Sequence, residues 1–156
     1  MPDPAKRLLD TWNRLHRWPG GSWLFRHLLT RMTPYTGTIR PEVVELVPGR
    51  AVVAMQDRRH VRNPFRSVHA VALANLGELA SGLALTTALP AGLRAIVTQL
   101  TITFQKKARG RLLAESSADV PSVTDPTDFD VTARIRDADG DVVATVTATW
   151  RLDRAP

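Results

Sequence analysis

The chain has 156 residues, 44% of them hydrophobic and 23% charged, which suits one globular domain with a full core and is short for two. It contains no cysteine, so disulfides, thiolate catalysis and cysteine metal sites are excluded. With 21 Lys and Arg against 15 Asp and Glu the net charge is +6. That favours an anionic partner (nucleic acid, an acidic membrane surface or a phosphorylated small molecule) and equally fits a slightly basic solvated surface.

Asp3-Pro4 opens the first predicted helix, with Asp at the N-cap and Pro at the first helical position. Leu8, Trp12 and Leu15 then fall on one face, and Pro19-Gly20-Gly21 ends the element. Lys6, Arg7, Arg14 and Arg17 interrupt any secretory apolar stretch. No run approaches the roughly 18 uninterrupted apolar residues of a membrane span, and a cytoplasmic location is expected. Ser22 is the expected cap of a second helix carrying Leu24, Phe25, Leu28, Leu29 and Met32, stopped by Thr33-Pro34. Such a basic, Trp-containing pair can lie on a membrane surface; packing against a sheet is the favoured reading.

After Tyr35 the period changes to two. Residues 38–47 and 50–56 flank Pro48-Gly49 and read as a hairpin. A basic loop, 57–66, leads into a helix over 68–85 composed almost entirely of Ala, Leu, Val, Gly and Ser, a composition buried on every side. Beyond Pro90, Ile96, Thr98, Leu100, Ile102 and Phe104 make the more apolar face of a long strand. Strands follow over 112–119 and 129–135. Asp139-Gly140 then turns into a last strand with Val142, Ala144, Val146, Ala148, Trp150 and Leu152 on one side. The order implies an α+β protein: a six-stranded antiparallel sheet wrapped around a long central helix, preceded by two N-terminal helices. Residues 1–35 form a helical extension and 36–154 the sheet-and-helix domain.

Glu78 stands in the middle of the apolar helix. An unpaired buried carboxylate is costly or takes up a proton, so Glu78 is either paired with an arginine or poised as a general base or nucleophile. Asn75 lies one turn back on roughly the same face. His69 is nine residues from Glu78 and can reach it only from an irregular first turn; otherwise it bonds the helix start. Asn63-Pro64 breaks the chain before the helix. Its amide either closes a turn or points into a site beside the helix N-terminus, whose free N–H groups suit a carbonyl or oxyanion. Lys106, Lys107, Arg109 and Arg111 form a basic turn, either a solvated tip or a phosphate cradle. It lacks the interleaved aromatic residues that nucleic-acid binding needs. His16, His27, His60 and His69 show no ligand spacing, so no metal is expected. No nucleophile elbow is present.

Asn63, His69 six residues on, and Glu78 nine residues past the His, followed by "ITFQKKARGRLLAES" at 102–116, resemble hot-dog fold proteins of the PaaI-like acyl-CoA thioesterase kind. The nearest branch is that of domain of unknown function 4442. Glu78 replaces the commoner Asp, and Ala70-Val71 stand where the family has two glycines. The resemblance implies a homodimer, with a tetramer as the larger alternative, and a site at the subunit interface beneath the central helix N-terminus. An acyl-CoA thioester would rest its carbonyl on the N–H of Ala70 or Val71 beside Asn75. Glu78 of the partner protomer would activate water or attack. Asn63 would orient water or carbonyl, and His69 would shape the loop. Lys106, Lys107 and Arg109 would meet the phosphates of coenzyme A, with no other cofactor. The alternative is a non-catalytic acyl-CoA or lipid-binding module of the same fold.

Overall fold

The computed structural model describes residues 4–155; the Asp3 cap lies outside them. Helix α1 (Pro4–Leu15) and helix α2 (Gly21–Met32) form an antiparallel pair. Trp12 and Phe25 are buried and meet edge-on, ring centroids 5.1 Å apart. The expected Ser22 cap is corrected: α2 begins at Gly21, behind Gly20 in the left-handed region at φ 80°, with no side-chain cap. A Cβ at Gly21 would lie 1.7 Å from the Leu15 carbonyl oxygen, so glycine is needed for the tight turn between the helices.

Strands β1 (Glu42–Val47) and β2 (Arg50–Met55) form the expected hairpin. The first strand starts later than its alternation suggested, because Thr36–Ile39 coil into a 3-10 turn that buries Thr36 and Ile39. Arg40 follows at φ 49°, and Pro41 has no N–H to give a ladder. After a loop with a short 3-10 turn at Arg59–Val61 come helix α3 (Ala70–Ala88), β3 (Leu93–Phe104), β4 (Leu112–Ser117), β5 (Thr127–Arg136) and β6 (Val142–Arg154). The sheet order is β1-β2-β4-β5-β6-β3, with every pairing antiparallel.

Helix α3 is long and apolar enough to cross a membrane, yet most of it is buried inside the fold. Small residues let it approach the sheet: a Cβ at Gly77 would come within 2.4 Å of Val146 Cγ2, and one at Gly82 within 3.2 Å of the Trp150 ring. The expectation of burial on every side needs correction. Val71 is 52% exposed, and Ala74, Glu78 and Gly82 are half-buried. These four fall at i, i+3, i+7 and i+11, one stripe along the helix.

Strand β3 is an edge, bonded among the described residues only to β6. Its expected single apolar face is split by a bulge between Val97 and Gln99. Before the bulge Val97 pairs with Trp150; after it Leu100, Ile102 and Phe104 pair with Ala148, Val146 and Ala144. Cross-strand partners share a face, so Leu100, Ile102 and Phe104 look toward α3 while Ile96 looks away. Ile96 is exposed on that outer face, and Leu100 and Phe104 are exposed on the inner one, because β3 extends past the helix that covers its neighbours.

Candidate active site

The loop 57–69 delivers the α3 N-terminus, and three ties hold it. Asp57 accepts from Arg62 Nε at 2.6 Å and from the Gly110 N–H at 3.2 Å. Burial pushes the Asp57 carboxyl up, but those bonds outweigh it and hold the group below its usual range. Val68 donates to the Ala108 carbonyl at 2.8 Å, and Arg109 Nε to the Arg66 carbonyl at 3.2 Å. The loop and the basic turn after β3 are thus fastened together.

Asn63 spends its side chain closing this loop. Its Oδ1 accepts the N–H of Phe65 at 2.9 Å and of Ser67 at 3.2 Å, and its Nδ2 donates to Ser67 Oγ at 3.0 Å. The partner Ser67, itself buried, escaped the sequence reading; the Asn-Pro-x-x-Ser spacing was the available signal.

His69 is the N-cap of α3, extended at φ −65° and ψ 141°, and its Nδ1 accepts the Val71 N–H at 3.1 Å. An accepting Nδ1 carries no proton, so the neutral ring holds its proton on Nε2. The His69 carbonyl takes the N–H of Ala72 and Leu73 at 3.0 and 3.1 Å. Of the amides in this first turn, Ala70 N–H alone has no partner among the described residues.

Two clefts flank this helix start. The first, about 400 Å³, is lined by Asn63, Ala70, Leu73, Phe104, Lys106 and Lys107, among others. The second, about 190 Å³, includes His69, Val71 and Asn75, with Tyr35 and His60 opposite. Asn75 is buried and donates to the Tyr35 carbonyl at 3.4 Å. Asn63 and Ala70 therefore share one cleft, while His69, Val71 and Asn75 share the other. Arg109 and Glu78 line neither. Phe104 is a lining residue that the sequence placed only on a strand.

Glu78 sits on the open stripe of α3. The position a Cβ would take at Gly82 is 3.9 Å from Glu78 Oε1 and 3.2 Å from the edge of Trp150, so the carboxylate and the indole both border Gly82. It has no hydrogen bond or ion pair among the described residues, and burial alone raises its carboxyl above the ordinary range.

The basic turn is unevenly charged. Lys106 Nζ reaches Asp137 and Asp141 at 2.7 Å and Asp139 at 4.0 Å. Hydrogen bonds that Lys106 donates to the first two hold its proton well above the usual lysine range. The three carboxylates form the one grouping among the described residues with metal-ligand proximity, and an ammonium already fills it. Lys107 has no ion pair among the described residues and faces the first cleft.

The family model described as domain of unknown function (DUF4442) matches residues 21–152. The chain belongs to this family. The match takes in α2 as well as the region after residue 36. No curated protein matches. Among solved structures, the structural-genomics protein APC5556 aligns with a TM-score of 0.82 at 28% identity, over 97% of this chain and 99% of its own. A Pseudomonas aeruginosa protein, PA5026, described as of unknown function and a probable thioesterase, aligns at 0.76 and 23% identity, over 88% of this chain and 97% of its own. A point mutant of the phenylacetic acid degradation protein PaaI from Thermus thermophilus aligns at 0.64 and 22%, over 76% of this chain and 97% of its own. The DUF4442 protein therefore has the hot-dog fold, its sheet curled on α3.

Proposed function

We propose that this protein hydrolyses the thioester of a medium- or long-chain acyl-CoA at a site shared by two copies of the chain. The observation that carries the reading is Glu78: a half-buried carboxylate, unpaired, with a raised proton affinity, on the one open stripe of the central helix. A structural carboxylate in that setting would be paired. A general base benefits from a pKa nearer neutrality.

In one copy, Glu78 lies outside the cleft lined by Ala70, Asn63 and Lys107. A second copy, joined along the exposed apolar residues of edge strand β3, would bring its own Glu78 to that cleft. The acyl carbonyl would accept from Ala70 N–H, at the positive end of α3. Glu78 takes a proton from water as the oxygen bonds the carbonyl carbon. The C–S bond then breaks, and the departing thiolate receives the proton. Direct attack by Glu78, forming an anhydride that water opens, uses the same geometry. Asn63 holds the loop and presents its remaining amide hydrogen, and His69 fixes the helix start. Lys107 and Arg109 would meet the phosphates, with Lys106 tethering the turn. No cofactor is required beyond the coenzyme A of the substrate, and a cytoplasmic setting suits it. The fold shared with a probable thioesterase supports this reading.

The test is an acyl-CoA panel with wild type and Glu78→Gln. Loss of about 10²–10⁴-fold in kcat is expected for removal of a general base, with folding retained. Unchanged turnover removes Glu78 from catalysis. Acyl-CoA that binds wild type without turning over identifies the non-catalytic module instead.

A further inference from the structure

A cleft of about 370 Å³ opens between α2 and the 3-10 turn at Thr36–Ile39, lined by Trp23, Arg26, His27, Thr30, Gly37 and Arg40. It shares no residue with either cleft at the α3 start. Arg58 stands beside it, donating from Nη2 to the Thr38 carbonyl at 3.3 Å. Burial first, and then the charges of Arg40 and Arg26, lower the Arg58 guanidinium from its usual range. Two guanidiniums, Arg26 and Arg40, thus line the cleft, and a third, Arg58, lies within electrostatic reach of both.

None of the three has an ion pair among the described residues, and no carboxylate lines the cleft. The contrast is with Lys106, where three aspartates neutralise one cation. Like charges held together repel, and an oppositely charged ligand removes that cost. Arg40 is also fixed by its backbone: at φ 49° it donates its N–H to the Gly37 carbonyl, a conformation uncommon for residues other than Gly, Asn and Asp. Trp23 and His27 form an aromatic wall on one side, ring centroids 3.9 Å apart.

We propose that this cleft binds a phosphate group, held by the guanidinium forks of Arg26 and Arg40, with Arg58 behind them and the Trp23 indole against the rest of the ligand. Phosphate suits the site better than a carboxylate. It carries up to two negative charges and three acceptor oxygens, enough for several guanidinium donors at once. A phosphate would bind here whether or not the protein cleaves thioesters.

Inorganic pyrophosphate is the first probe, its binding to the full chain read by calorimetry and thermal unfolding. Arg26→Gln removes one charge from the half-buried cleft-facing side of α2. Arg40→Asn removes another while keeping a residue that accepts positive φ. Arg134→Gln, an exposed arginine on β5, removes the same net charge elsewhere. Each cleft variant should weaken pyrophosphate binding by about tenfold or more, the worth of a charge-assisted bond, and should abolish the ligand-induced rise in Tm. Without ligand, neither should lower Tm. Arg134→Gln should bind as wild type does. Two further arms name the source of the phosphate. Displacement of pyrophosphate by coenzyme A indicates a soluble ester; Arg40-dependent cosedimentation with phosphatidic acid vesicles indicates a lipid headgroup. No pyrophosphate binding, or equal weakening by Arg134→Gln, overturns the proposal.

Discussion

The His69 imidazole accepts the backbone N–H of Val71 at 3.1 Å, and this single bond decides which amide of the helix start is free. Val71 is occupied, Ala72 and Leu73 share the His69 carbonyl, and the N–H of Ala70, a residue that lines the cleft with Lys107, is left without a partner among the described residues. Ala70→Pro tests the consequence directly. Proline is tolerated at the first helical position and has no N–H to give. The preceding residue, His69, already has the extended conformation that proline demands. The variant should fold with little change in Tm. Its kcat on acyl-CoA should fall by about 10²–10³-fold, the usual cost of one oxyanion donor. Retained kcat would mean that the carbonyl rests elsewhere.

Lys106 and Lys107 are adjacent in sequence and opposite in role. Lys106 is bound to Asp137 and Asp141, so Lys106→Gln leaves three acidic groups facing one another. It should lower Tm, and added salt should shrink the loss as the repulsion is screened. Lys107→Gln should leave Tm unchanged and raise KM for acyl-CoA several-fold with kcat retained, the pattern of a lost ground-state contact. Steady-state kinetics and unfolding at two salt concentrations separate the two. An unchanged KM in Lys107→Gln would remove Lys107 from phosphate binding.

Much of this was legible from the chain. Composition exposed the central helix and the oddity of Glu78, because a carboxylate among Ala and Leu has few structural excuses. Asp139-Gly140 announced its turn through the backbone conformation it needs, and Gly140 has φ 86°. Three things were not legible, each for a physical reason. The bulge at Val97–Gln99 reverses which residues of β3 face inward, and nothing in an alternating pattern marks where a register slips. The charge state of the basic turn depends on aspartates 31 and 35 residues further on, which only the β3–β6 pairing brings near. Asn63 and His69 fell into different clefts because the imidazole turns back on its own helix, and spacing alone cannot show that.

Burial raises the Glu78 carboxyl above its ordinary range, which makes stability depend on pH with a definite sign. The folded protein then holds this proton more tightly than the unfolded chain. Stability falls as pH rises from the ordinary carboxylate value through the raised one, and the loss persists above both. Glu78→Gln has no such term. It should be more stable than wild type at neutral pH by about 1 kcal/mol, the scale of one unsatisfied buried polar group, or roughly 2–4 °C in Tm. The advantage should vanish below about pH 4, where both side chains are neutral. Thermal unfolding of the pair between acid and neutral pH reads it out. A constant offset across that range would place the carboxylate in water.

The edge strand β3 carries the strongest requirement of the shared site. Leu100 and Phe104 are exposed on its α3-facing side, and its outer edge pairs with no other strand among the described residues. Leu100→Lys should convert a dimer to a monomer in sedimentation velocity and abolish hydrolysis, although Ala70, Glu78 and the cleft-lining Phe104 are untouched. A sharper form uses two inactive chains. In a mixed dimer of Glu78→Gln with Ala70→Pro, one of the two sites takes its carboxylate from the second chain and its amide from the first, and is intact. Random refolding of equal amounts should recover about a quarter of wild-type activity, since half the dimers are mixed and each carries one working site. Recovery is impossible if carboxylate and amide act within one chain. Absence of any recovery in refolded dimers would therefore confine the site to a single protomer.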